Sequence, residues 1–132
     1  MLKERRELVT IGAFLPKVET IIYPNTVREV SGKNCCGYYS YDWNNVLKKL
    51  VLSQNLENIG RYVFSDLGGL TELTIPLSVE KIDSNAFEGC LSLTSVIYNG
   101  TTYTSQSELI QALTNNEVEV STDTFRSTGL SE

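Results

Sequence analysis

The sequence contains no histidine and only three cysteines in 132 residues. Without histidine, the chain has no Ser-His-Asp or Cys-His nucleophilic site and no zinc site that needs an imidazole ligand. Cys35 and Cys36 are adjacent, which strains a disulfide between them, and Cys90 stands alone. Three cysteines at this spacing make neither a disulfide framework nor a four-ligand metal site, so we expect reduced cysteines, no metal and no cofactor.

Basic residues and long apolar runs are also scarce. The chain has 11 lysine and arginine residues against 16 aspartate and glutamate residues, a net charge of −5. This balance and the absence of a basic patch disfavour a nucleic-acid partner. No stretch approaches the ~20 apolar residues that span a bilayer, so we expect no membrane insertion. Glu4 and Glu7 interrupt the basic start, and no cleavage pattern follows, so the sequence predicts no signal peptide here.

The chain does have an internal repeat, because apolar residues recur at intervals of 23 through its middle. The recurring sets are Leu47, Leu70 and Leu93; Leu50, Leu73 and Val96; Leu52, Ile75 and Tyr98; and the pairs Leu56–Val79, Ile59–Ile82, Phe64–Phe87 and Leu67–Cys90. Upstream the interval becomes 29, starting from Val18, Ile21, Tyr23, Val27 and Val30. Downstream it is 38, from Ile82 to Val120 and from Phe87 to Phe125. Such self-similarity is typical of a repeat protein.

Each unit has two extended pieces followed by a turn. In the third unit, segment 70–76 alternates apolar and polar residues, which predicts a half-buried strand. Segment 78–82 then directs Val79 and Ile82 inward. Units this short have no core of their own and must stack their apolar residues on neighbouring units.

We therefore predict a solenoid of the α/β class, rich in β-strand, with about four stacked units of 23 or more residues that form a short parallel sheet. Phe64 and Phe87 should form one interior column, and Leu67 and Cys90 another. Cys90 is then interpreted as a small buried apolar residue rather than a nucleophile.

A hairpin and a helix are predicted to close the solenoid. Asn99-Gly100 lies between two β-rich arms, and this dipeptide favours a two-residue hairpin turn. Ser105 and Glu108 have the spacing of a capping box that opens a helix over 105–116. Its apolar face consists of Leu109, Ile110 and Leu113. We expect a single domain, 1–132, with an N-terminal cap (1–17), repeats (18–95, with an insertion at 31–45) and a closing unit (96–132).

Segment 75–98, IPLSVEKIDSNAFEGCLSLTSVIY, resembles the BspA-type leucine-rich repeat, whose unit runs approximately L-P-x-S-V-x-x-I-G-x-x-A-F-x-G-C-x-x-L-x-x-V. Residues 47–98 match this pattern well, 18–30 match in part, and 96–132 resemble the closing unit. The second unit departs from the pattern: Asn55-Leu56 replaces Ser-Val, Val63 replaces Ala, and Asp66-Leu67 replaces Gly-Cys.

The resemblance implies a leucine-rich-repeat solenoid. It also implies a family of mostly bacterial surface or secreted proteins, associated with adhesion and protein binding rather than catalysis. An extracellular or cell-surface location is therefore the expectation, although the chain shows no signal peptide.

The insertion at 31–45 is the first candidate for a binding site. Four aromatic residues fall within six positions of it: Tyr38, Tyr39, Tyr41 and Trp43. Aromatic rings on a loop can stack on sugars or anchor a protein partner. Alternatively, they cover the side of the small core.

The second candidate is the outward face of the predicted first strands, which carries three rows of residues. The first two rows are polar and mixed in charge, as on a solvated sheet face: Glu19, Lys48, Thr71 and Thr94, then Thr20, Lys49, Glu72 and Ser95. The third row is largely apolar and β-branched: Ile22, Val51, Thr74 and Ile97. It is interpreted as a protein contact surface, although β propensity explains it almost as well.

These features favour a non-catalytic binding module that recognises a protein or a glycan through the sheet face and the 31–45 loop. The alternative is a structural spacer in which the third row mediates weak self-association, and sedimentation at several concentrations separates the two. A carboxylate-only enzyme is the third hypothesis. Glu57 and Glu80 align, but aligned surface acids are the normal result of repetition, and no cofactor motif accompanies them.

Overall fold

A computed structural model of the protein describes residues 19–31 and 47–132. In these residues the chain forms nine strands and one helix. In chain order they are β1 (Thr20–Ile22), β2 (Glu29–Val30), β3 (Lys49–Val51), β4 (Asn58–Ile59), β5 (Glu72–Ile75), β6 (Lys81–Ile82), β7 (Ser95–Tyr98), β8 (Thr101–Tyr103), α1 (Gln106–Asn115) and β9 (Glu119–Val120). The predicted N-terminal cap, Cys35 and Cys36, and the aromatic residues of segment 38–43 lie outside the described residues.

The second extended piece of every unit joins one continuous parallel sheet, in the order β2-β4-β6-β9. Its register pairs Val30 with Ile59, Ile59 with Ile82, and Ile82 with Val120. These pairings correspond to the sequence intervals of 29, 23 and 38, so the repeat spacing is the sheet register. The predicted solenoid of stacked units is confirmed on this side.

The first extended pieces form a second ladder, but it is divided. Strand β1 pairs with β3 in parallel, and β5 pairs with β7 in parallel, each in the register given by the repeat. Strand β8 then adds to β7 in antiparallel orientation through the Asn99-Gly100 turn. Strands β3 and β5 are not hydrogen-bonded neighbours, so the predicted single sheet of first strands is two separate sheets.

Aromatic rings form a column through the core. The Phe64 and Phe87 ring centroids are 5.5 Å apart, and those of Phe87 and Phe125 are also 5.5 Å apart, with interplanar angles of 22° and 4°. Tyr23 meets Phe64 edge-on at 6.2 Å. All three phenylalanines are fully buried. Each aromatic contact adds about 0.5–1.5 kcal/mol beyond the area it buries, so this column ties the stacked units together.

Several turn residues other than glycine adopt left-handed backbone. Asp66, Gly89 and Ser127 have φ of 62°, 84° and 58° at equivalent positions of three units. Tyr62 and Asn85 are also equivalent to each other, four residues earlier in their units, and have φ of 60° and 62°. The sequence predicts positive φ only at Asn99-Gly100, where it is confirmed. The left-handed turn therefore belongs to the repeat geometry, and residues other than glycine adopt it at some cost.

The closing helix forms as the capping signals predict. The Ser105 side chain accepts a hydrogen bond from the Glu108 N–H at 3.4 Å, and Asn116 caps the other end of α1. Leu109 and Leu113 are fully buried, while Ile110 is only partly buried. This amphipathic helix covers the last layer of the core. The division of the chain into cap, repeats and closing unit stays a prediction.

Candidate binding surface

The three predicted rows lie on the outer face of the two first-strand sheets. Backbone pairing places Ile22 beside Val51 and Thr74 beside Ile97, so the third row is present as two pairs. The side chain of Ile22 is 67% exposed, whereas Val51 and Ile97 are half-buried. The structure thus brings the row together within each sheet but interrupts it between Val51 and Thr74.

The polar rows show the same division. Thr20 pairs with Lys49 in one sheet, and Glu72 pairs with Ser95 in the other. The Ser95 hydroxyl donates to the Glu72 carboxylate at 3.4 Å. Lys48 and Lys49 are both exposed and lie at the edge of the first sheet that faces Glu72. The two lysines and the glutamate are therefore on opposite sides of the division.

A groove of about 380 Å³ occupies the space between β3 and β5. Its walls are residues 48–52 and Gln54 on one side and residues 71–74 on the other. Leu50, Leu52 and Leu73 are at most 4% exposed, because their side chains point into the core. The side chains of these leucines therefore contribute little surface to the groove.

The groove coincides with the unit whose interior side chains are larger. Val63 and Leu67 of the second unit take the places of Ala86 and Cys90 in the third, and all four are buried. The extra methyl and methylene groups need volume in a close-packed core. Strands β4 and β6 stay paired on the other side of the same two units.

Metal and membrane features are missing from the described part of the chain. Within residues 19–31 and 47–132, histidine, cysteine, aspartate and glutamate side chains form no group of three that could hold a metal ion. The same residues include no helix with the length and apolar character of a membrane-spanning segment. Tyr38, Tyr39, Tyr41 and Trp43 lie outside the described residues, so their binding role stays a prediction.

Cys90 is buried in the core, as its place in the repeat predicts. Its thiol donates to the Phe64 carbonyl oxygen at 3.2 Å. Burial raises the pKa of the Cys90 thiol from 9.0 to about 12, and the nearby Asp66 carboxylate adds to this effect. A thiol in this state forms almost no thiolate at neutral pH and is a poor nucleophile.

We therefore expect Cys90 to resist alkylation while the protein is folded. In a Cys35→Ser/Cys36→Ser background, iodoacetamide at pH 8 should modify Cys90 only after unfolding in urea, because native burial keeps the thiol protonated and inaccessible. Mass spectrometry at timed intervals measures the reaction. Equal modification rates in native buffer and in urea would contradict the buried assignment.

The match to a family model agrees with this repeat architecture. A family model described as the BspA type leucine rich repeat region (6 copies) matches residues 33–130. No curated protein is similar enough to the chain to count as a match. Among solved structures, a leucine-rich-repeat protein of T. pallidum is similar at 26% identity and a TM-score of 0.39, over 59% of this chain and 44% of that protein. The chain thus spans less than half the length of that relative. Since the family model covers most of the sequence, the chain belongs to the BspA-type leucine-rich-repeat family.

Proposed function

We propose that the protein is a non-catalytic module that binds a protein partner through the outer face of its first strands. The leucine-rich-repeat family suggests a protein-binding module, and its members are typically non-catalytic. The observation that carries the proposal is the exposed apolar third row. Ile22, at 67% exposure beside the half-buried Val51, offers apolar surface that a partner would cover.

The surroundings of the third row support this proposal. Polar and charged residues of the first two rows, among them Lys49 and Glu72, flank the apolar row on the same face. Protein interfaces commonly combine an apolar centre with a polar rim that remains wet. The rim sets orientation and specificity, while the apolar centre contributes most of the affinity.

We extend the proposal to the aromatic residues of the 31–45 insertion and to the cellular location of the protein. Tyr38, Tyr39, Tyr41 and Trp43 would add a second contact, either to the protein partner or to a glycan. BspA-type repeat proteins are often surface or secreted proteins. Adhesion at a bacterial surface is therefore the setting we propose, and a self-assembling spacer remains the alternative use of the same apolar row.

Two variants with matched exposure test the proposed face. Ile22 is 67% exposed on the face, and Leu91 is 68% exposed outside it. Ile22→Glu should weaken binding of a partner at least about tenfold, because a charge replaces a central apolar contact. Leu91→Glu makes the same change in charge as Ile22→Glu and removes a similar exposed apolar side chain. It should leave binding unchanged. Partners are captured with the wild-type chain as bait, and the dissociation constant of each purified partner is measured against all variants.

The loop is tested in the same series. Tyr41→Ala/Trp43→Ala should abolish binding without lowering the melting temperature if the aromatic residues contact the partner. Lower thermal stability with unchanged binding would assign them to packing instead. A partner that binds wild type, Ile22→Glu and Leu91→Glu equally would contradict binding through the first-strand face.

A further inference from the structure

The turn that joins β7 to β8 carries an acceptor motif that the proposed function does not use. Asn99-Gly100-Thr101 has the form N-x-S/T, with a residue other than proline in the middle, which is the motif for N-linked glycosylation. It is the only tripeptide of this form in the sequence. The motif by itself is common, so its placement in the fold decides whether Asn99 can accept a sugar.

The side chains that the motif requires are exposed and free. Asn99 and Gly100 form the two-residue turn between the paired residues Tyr98 and Thr101, with φ of 52° and 79°. Asn99, Gly100 and Thr101 are all exposed. Among the described residues, no hydrogen bond holds the Asn99 amide or the Thr101 hydroxyl. Both groups are therefore available to a transferase without disruption of the native contacts.

The space around the turn is open. A Cβ atom on Gly100 would meet nothing within 4 Å. The pairing of Ile75 with Tyr98 brings the loop that follows β5 to the same end of the sheet. This loop carries Leu77, whose side chain is 57% exposed. A sugar on Asn99 would therefore extend into solvent rather than against the body of the solenoid.

The turn also lies in a part of the chain without charge. Residues 90–107 include no acidic or basic side chain, and neither does the neighbouring loop, 76–79. The chain as a whole has a net charge of −5, which repels the phosphate of an activated sugar. The uncharged turn lowers this repulsion at the point where the donor must approach.

We propose that Asn99 is an acceptor site for an N-linked glycan. Asn99 Nδ2 attacks the anomeric carbon of a phosphate-activated sugar, and Thr101 supplies the hydroxyl that the motif requires. A carbon–nitrogen bond forms, and the bond between the anomeric carbon and the phosphate oxygen breaks. The phosphate leaves with the electron pair, and Nδ2 loses one proton. This modification is independent of what the first-strand face binds.

The first experiment uses the purified, folded chain with a soluble N-glycosyltransferase and UDP-glucose. The intact mass should rise by one hexose, and fragmentation should place that hexose on Asn99. Asn99→Gln and Thr101→Val should each abolish the modification, because they remove the nucleophile and the required hydroxyl. Thr101→Ser keeps the hydroxyl and should retain the modification. Circular dichroism confirms that the variants remain folded.

An engineered second motif supplies a matched control. In an Asn99→Gln background, Glu57→Thr completes the form N-x-T at Asn55. Asn55 is also exposed, but its Nδ2 atom donates to the Asn25 carbonyl at 2.7 Å. Loss of this hydrogen bond costs free energy, so Asn55 should react about tenfold more slowly than Asn99 in the folded protein. Peptides 51–61, with the same substitution, and 95–105 correct for the intrinsic sequence preference of the enzyme.

The second experiment distinguishes the source of the sugar. The full chain is secreted from cultured eukaryotic cells behind a cleavable signal, where the donor is lipid-linked rather than nucleotide-linked. Peptide N-glycosidase in heavy-oxygen water should release one glycan and leave a labelled aspartate at position 99. The label separates glycan removal from earlier spontaneous deamidation of Asn99-Gly100. Modification in either experiment supports the acceptor site and identifies the class of donor.

Three results would overturn the site. The first is an Asn99 that stays unmodified in both experiments. The second is a mass gain that persists in Asn99→Gln, which would place the sugar elsewhere. The third is equal rates at Asn55 and Asn99 in the folded chain after the peptide correction, because the free amide of Asn99 would then give it no advantage.

Discussion

Truncation of Phe87 to alanine is expected to lower the free energy of unfolding by about 3–5 kcal/mol. The Phe87 ring is fully buried between Phe64 and Phe125, with both ring centroids 5.5 Å away. Its removal leaves a cavity in the middle of the column and breaks two aromatic contacts at once. Domains have about 5–15 kcal/mol of net stability, so the loss is a large share of the total. Urea unfolding followed by far-UV circular dichroism measures the change.

Two further substitutions keep this prediction falsifiable if the alanine variant does not fold. Phe87→Leu preserves most of the volume and should cost about 1.5 kcal/mol or less. Leu91→Ala, at a side chain 68% exposed, should change stability by no more than about 0.5 kcal/mol. The expected order is Phe87→Ala, then Phe87→Leu, then Leu91→Ala. A Phe87→Ala variant within about 1 kcal/mol of wild type would show that the column does not hold the units together.

The aromatic column and the sheet register could be predicted from the sequence because both follow from spacing alone. Stacking identical units aligns residue n with residue n + 23, so Phe64 meets Phe87 and Ile59 meets Ile82. The closing helix was equally accessible, because Ser105 and Glu108 carry a local capping signal. Local signals and exact periods can be recognised without any knowledge of the packed structure.

The separation of β3 from β5 could not be predicted in this way. The second and third units have the same period, and period specifies register but not the distance between strands. That distance depends on the packing of the whole core, in which the larger Val63 and Leu67 are buried. The substitutions at these two positions are visible in the sequence as departures from the repeat. The groove between β3 and β5 on the candidate surface is visible only in the structure.

Only part of the candidate surface could therefore be predicted from the sequence. Alternation along each strand correctly predicts that Ile22 and Lys49 point outward, because side chains alternate between the two faces. The further assumption, that outward residues form unbroken rows, fails between Val51 and Thr74. Side-chain alternation does not reveal whether neighbouring strands are hydrogen-bonded, so the division between β3 and β5 was not predicted.

Replacement of Gly89 by alanine is expected to lower the free energy of unfolding by about 1–2 kcal/mol. Gly89 has a φ of 84°, where a Cβ atom costs about 1–2 kcal/mol. A Cβ atom at this position would also overlap the exposed Asp66 carboxylate of the preceding unit, which has to rotate away at a small further cost. The backbones cannot simply move apart, because Asp66 N–H donates to the Glu88 carbonyl at 2.8 Å and Gly89 N–H to the Arg126 carbonyl at 3.0 Å.

Gly100 supplies the matched control for this prediction. It has a similar φ of 79°, but a Cβ atom there would meet nothing within 4 Å. Gly100→Ala therefore measures the backbone cost alone, about 1 kcal/mol, and Gly89→Ala should exceed it. Asp66→Ala removes the carboxylate, so in that background Gly89→Ala should fall to the cost of Gly100→Ala. A double-mutant cycle from urea unfolding isolates this coupling. Equal costs at Gly89 and Gly100 in the wild-type background, with no coupling to Asp66, would show that backbone strain is the whole effect and that the Asp66 carboxylate does not obstruct a Cβ atom at position 89.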